Sequence, residues 1–199
     1  MKKTLILFVL LFLSLATFAK PYKLKIDDFN NQKTYIGNKF ADAGSAAGAR
    51  MFGGQDGKLW SAYIIPGDDF EIEESPELLE KLEIESLSDG FFAIMGEYYT
   101  KKINTINDKD SLIIKINKDF HKFDLIYQDR VAEVQSEFGG WRTKFGFMVP
   151  KSILLKMIDE KNKSMIRVKG DAKDLTIEVK HKKLKKLSEF IKAVEKDIK

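Results

Sequence analysis

The chain has 199 residues, no cysteine, 34 basic and 30 acidic side chains, and a formal net charge of +4. Without cysteine it has no disulfide, no thiolate metal ligand, no thiol nucleophile and no cysteine-linked lipid anchor. Lysine outnumbers arginine 30 to 4, which argues against phosphate or nucleic-acid recognition, where bidentate arginine is favoured, and no nucleic-acid motif accompanies the charge.

Residues 1–19 read as a secretory signal peptide. Lys2 and Lys3 precede an apolar run from Leu5 to Leu15 broken only by Ser14, and small residues follow at Thr17 and Ala19, the order that signal peptidase reads. The run is short for a permanent anchor, which needs about 20 apolar residues. The expectation is cleavage after Ala19, leaving residues 20–199 as a single exported α+β domain, periplasmic or secreted. If that domain subdivides, the boundary falls near 104–110. Its charge is lopsided: residues 20–108 carry 10 basic and 16 acidic side chains, and residues 109–199 carry 22 and 14. Such asymmetry fits contact with an anionic surface, or two halves folded against each other.

In chain order, "YKLKI" (22–26) alternates apolar and basic residues as a half-buried strand does, and "KTYIGNKF" (33–40) reads as a second strand weakened at Gly37. The glycine-rich stretch "AGSAAGARMFGGQDG" (43–57) fails the spacing of both the dinucleotide fingerprint and the P-loop. It therefore reads as a small-residue segment and a turn before the strand "KLWSAYII" (58–65), with Arg50 the only argument for an anion loop. An acidic run from Asp68 to Glu85 contains Ser75-Pro76-Glu77, a cap, a first-turn proline and an early acid, which start a helix. Neither this run nor "NDKD" (107–110) has calcium-loop spacing.

"DGFFAIMGEYYTKKI" (89–103) suits either a helix or a buried strand. Its Phe91, Phe92, Tyr98 and Tyr99 are candidate ligand-lining residues, weighed against plain core. "SLIIKI" (111–116) and "FHKFDLIY" (120–127) read as a hairpin. "RVAEVQSEF" and "WRTKFGFMV" flank Gly139-Gly140, the signal of a two-residue hairpin turn. On the outgoing strand Trp141, Thr143, Phe145, Phe147 and Val149 share a face. Trp141 and Arg142 form a candidate partner contact, since both residue types are enriched at interface hot spots; the alternative pairs Trp141 with Phe138 across the hairpin. Pro150 and Ser152 open a short helix, and "SMIRVKG" and "LTIEVK" form a last hairpin around Asp171. A helix from about Lys182 carries an apolar stripe of Leu184, Leu187, Ile191, Val194 and Ile198 with lysines opposite. That helix suits docking on the protein's own sheet, with an anionic membrane surface as the alternative.

The two histidines, His121 and His181, lack metal-ligand spacing, and no G-x-S-x-G elbow accompanies His121. No metal or cofactor is expected. The reading is an α+β protein, mainly antiparallel sheet or sandwich with a few helices, the last packed on the sheet. In function it is an exported, non-enzymatic binding or accessory protein whose partner is another envelope protein. The alternative is a carrier of a lipid or other apolar ligand, and the third reading is a hydrolase with a carboxylate or His121 site.

Overall fold

The computed structural model describes residues 20–28, 30–43, 56–68, 72–132 and 140–199. The signal-peptide reading, most of the glycine-rich stretch with Arg50, and Phe138-Gly139 lie outside these residues. The architecture is α+β. Among the described residues ten strands form two antiparallel sheets. In the six-stranded sheet, β1 (Tyr22–Asp27), β2 (Gln32–Ala43), β3 (Asp56–Ile65) and β4 (Phe91–Thr100) lie side by side, followed by β8 (Trp141–Met148) and then β7 (Leu125–Ala132). The four-stranded sheet has the order β10 (Leu175–Glu178), β9 (Ser164–Val168), β5 (Leu112–Ile116), β6 (Asp119–Phe123). The helices among the described residues are α1 (Pro76–Leu82), α2 (Lys151–Ile158) and α3 (His181–Asp197), with a 3-10 turn at Leu87–Asp89. Among the described residues no helix is long and apolar enough to cross a membrane.

One apolar cluster joins the two sheets. Leu59, Ile94, Phe145 and Phe147 of the six-stranded sheet meet Leu112, Ile114, Ile166 and Ile177 of the other, all essentially without solvent exposure. Each such side chain contributes about 1.5–3 kcal/mol of burial. The C-terminal helix seals the rest of this inner face with Leu184, Leu187, Phe190, Ile191 and Val194. Gly37 permits its approach: a Cβ there would stand 2.9 Å from the Phe190 ring and 2.4 Å from Ser61 Oγ. Ile198, read as the end of the stripe, lies beyond the helix and is 42% exposed.

The segment after β4 ties the sheets together. The buried Asn104 side chain donates to the Lys173 carbonyl (2.7 Å) and accepts from the Ala172 amide (2.9 Å), while its own carbonyl accepts from the Tyr98 hydroxyl at 2.6 Å. Gln128 Oε1 accepts from the Ile106 amide (2.8 Å), and Thr105 and Asp171 exchange two further bonds of 2.8 Å.

One open reading is decided and two change. Of helix and buried strand, the segment takes the strand: Phe91–Thr100 forms β4, because β3 and β8 pair with it on both sides. "FHKFDLIY" is not one strand. It breaks at Asp124, whose Oδ1 accepts from the Asp110 amide (2.8 Å) while the Leu125 amide bonds the Asp108 carbonyl (2.8 Å), so β6 and β7 enter different sheets. Nor does the register fit a two-residue turn at Gly139-Gly140: Ala132 pairs with Trp141, and Gly139 itself lies outside the described residues. Elsewhere the punctuation holds. Ser75 Oγ caps α1 by accepting from the Leu78 amide at 3.2 Å with Pro76 at the first helical position, and α2 begins after Pro150.

Candidate functional site: a groove on the outer face of the six-stranded sheet

Strand pleating sends alternate residues to opposite faces. On β3, Leu59 and Tyr63 enter the core between the sheets, whereas Ala62 and Ile64 face outward. On β4, Phe92, Ile94 and Tyr98 point inward, and Phe91, Ala93 and Met95 outward. Part of this outer face is covered by Leu78, Leu79 and Leu82 of α1, with Ile84 and Leu87 beyond it, packed on Ala62, Ile64, Phe91, Ala93 and Met148. A helix of seven residues spans only about 10 Å at 1.5 Å per residue, so it covers part of the sheet.

Beside it lies an open groove of about 770 Å³. Ile36, Trp60, Ile64, Phe91, Met95 and Ile126 supply its apolar surface, with Ile72 contributing from the segment before α1. The row Trp60, Met95, Gly146, Tyr127 crosses four strands in register, and Gly146 leaves its centre low. Polar groups stand at two ends. Lys25, Gln32 and Thr34 line the β1–β2 end, where Gln32 Nε2 donates to Thr34 Oγ1 at 3.1 Å. Glu97, Lys144 and Tyr127 line the other. There Lys58, Glu97, Lys144 and Asp129 alternate in sign across β3, β4, β8 and β7, and Lys58 Nζ lies 3.5 Å from Glu97 Oε1. Burial, with the Asp129 charge adding to it, raises the Tyr127 phenol above its ordinary range.

The sequence-derived candidates disperse. Phe91 lines the groove, and with Phe92 it also borders a recess of about 200 Å³ near the end of α3. Tyr98 is buried in the core, where loss of hydration pushes its phenol up to about 12. Tyr99 is buried opposite Arg142 in register and packs against Gly140. The pleat thus separates Phe91 from Phe92 and Tyr98, and no single cavity gathers the four aromatics among the described residues. Trp141 is half-buried and pairs with Thr100 and Ala132; the alternative partner Phe138 lies outside the described residues. His121 stands on β6 opposite Ile114, in the sheet that does not carry the groove. No group of three or more His, Cys, Asp or Glu placed to hold a metal occurs among the described residues. The apolar side of α3 is consumed by the core, so its outward lysines Lys182, Lys185, Lys186, Lys192 and Lys196 are what it offers an anionic surface.

Trp60, Ile36, Met95 and Ile126 were not legible as site residues. The signal that marks them is cross-strand: Trp60 falls opposite Met95, and Met95 opposite Gly146, only once the register is known. Compared with protein-family models, curated proteins and solved structures, the chain matches none.

Proposed function

We propose that the mature chain is an exported, non-enzymatic binding protein of the cell envelope and that the outer-face groove holds an apolar ligand. The observation that carries this reading is the groove itself. Its volume of about 770 Å³ falls within the roughly 300–1,000 Å³ of small-molecule sites, which are mostly apolar with a few placed polar groups. Among the described residues its one lining acid, Glu97, is held by Lys58, so the chemistry on offer there is apolar burial with polar anchoring at the ends. Export rests on the signal-like residues 1–19.

The test uses the uncharged fluorophore N-phenyl-1-naphthylamine. Saturable binding to residues 20–199, weakened about tenfold or more, a change of about 1.4 kcal/mol, by Trp60→Asp with the thermal midpoint preserved, supports the reading. Absence of binding, or equal binding by the variant, overturns it.

A protein partner is the second reading, favoured by a separate surface. On the far side of the four-stranded sheet Phe120 (62% exposed) and Met165 (39% exposed) flank Lys115 in register. An exposed aromatic beside apolar and basic neighbours is a common composition for protein contacts.

A further inference from the structure

Resting on the groove as a ligand site, we infer that its occupant is a single-chain amphiphile with an anionic head, bound with the head at the Lys25–Gln32–Thr34 end and the tail across the sheet. The two ends of the groove differ in charge. At the Lys144 end the cross-strand neighbours are acids: Glu97 on one side and Asp129 on the other, with Lys58 beyond Glu97. Charges alternate there and cancel. At the β1–β2 end Lys25 has no ion-pair partner among the described residues. Its neighbours on the same face of β1 are Lys23 and Asp27, and across the strand stands Thr34. Among the described residues this cation makes no ion pair, and it stands beside a hydroxyl and an amide that line the same groove. A cation with neutral hydrogen-bonding neighbours suits a carboxylate or phosphate, to which lysine offers a point charge and several donors.

The apolar part fixes the other half of the ligand. From Lys25 the surface continues over Ile36 and Ile64, past Trp60 and Met95, to Ile126 on β7. Six strands at about 4.8 Å spacing make this path about 24 Å long, enough for an extended chain of about 16 carbons. The groove is open on its solvent side, so a tail lying along it exchanges one exposed flank for burial on the other. A groove of about 770 Å³ suits one such chain.

Displacement of N-phenyl-1-naphthylamine by dodecanoate, dodecyl phosphate, 1-dodecanol and dodecyltrimethylammonium, each below its micelle concentration, tests the inference. Both anions are expected to bind about tenfold more tightly than the alcohol, with the cation weakest, and the better of the two anions identifies the head. Lys25→Glu removes that preference while leaving dodecanol within about twofold; Lys144→Gln, in the self-compensated ladder, keeps it. Equal binding of dodecanoate, dodecyl phosphate and dodecanol, or a preference that survives Lys25→Glu, overturns the anionic head and leaves the apolar groove standing. Failure of all four, together with the fluorophore, to bind removes the groove reading as well.

Discussion

On the inner face of the six-stranded sheet, Leu59, Ile94, Phe145 and Phe147 are covered by a second sheet and by α3; on the outer face the same strands present Trp60, Met95 and Gly146 beside an open groove. The two faces are written in alternate letters of one sequence, so composition along β3, β4 and β8 does not account for the difference. What differs is the size of the cover. Among the described residues thirteen buried side chains from the four-stranded sheet and α3 close one side, such as Leu112, Ile166, Leu187 and Phe190, whereas α1 brings seven residues to the other. A sheet needs one well-sealed face to fold; the second is then free to carry a ligand.

The sharpest contrast is between the two tyrosines, Tyr98 inside and Tyr127 at the groove. Tyr98 is pushed up to about 12, chiefly by burial. A phenol whose folded pKa exceeds its unfolded value near 10 contributes stability that is fully present below pH 10 and is lost as pH rises toward 12. At 1.36 kcal/mol per unit this amounts to about 2–3 kcal/mol. Urea midpoints measured from pH 9 to 12 are expected to fall steeply for the wild type and Tyr127→Phe. Tyr98→Phe flattens that fall, and at neutral pH it starts about 1 kcal/mol lower for the lost bond to the Asn104 carbonyl. An alkaline fall of equal size in both variants would mean that Tyr98 is not sealed.

Two glycines give the next contrast. A Cβ at Gly96 would lie 2.4 Å from Phe145 Cζ and 2.7 Å from Leu59 Cδ2, both in the sealed core. Neither neighbour has space to retreat, so Gly96→Ala costs about 1–3 kcal/mol by overpacking. A Cβ at Gly146 would lie 2.8 Å from Met95 Sδ, the end of a flexible side chain beside an open groove. There Gly146→Ala is within about 1 kcal/mol of neutral, the steric cost offset by reduced unfolded-chain entropy. Equal denaturation midpoints for the two variants would erase the distinction between the faces.

How much of this was readable follows from where the information sits. The cap at Ser75-Pro76, the stripe Leu184–Leu187–Ile191–Val194 and the alternation Thr143–Phe145–Phe147 are local, and each matches its element. The pairing of β8 with β4 as well as β7, the change of sheet at Asp124 and the β7–β8 register depend on partners far along the chain. The candidate site was less legible than the fold for the same reason. Phe91 was singled out among aromatics neighbouring in sequence, but pleating gives such neighbours opposite faces. The groove gathers residues from β1 through β7, whose shared surface is a property of register.

The smallest effect concerns the charges that border the two faces. On the sealed side, Asp42 of β2 accepts from Lys183 of α3 and from Lys39, and these bonds hold its carboxyl below the usual carboxylate range. A lowered folded pKa gives stability that is present above the unfolded value near 3.9 and disappears as pH falls through the folded one. Because the pair is partly exposed, Asp42→Asn costs about 0.2–1 kcal/mol at neutral pH, less in high salt. The gap between variant and wild type narrows below about pH 4. Lys25, at the groove, has no ion-pair partner among the described residues, so Lys25→Gln leaves the neutral-pH midpoint unchanged. If instead Lys25→Gln costs as much as Asp42→Asn in the ligand-free protein, the groove lysine is already neutralised within the fold and is not held in reserve for a ligand.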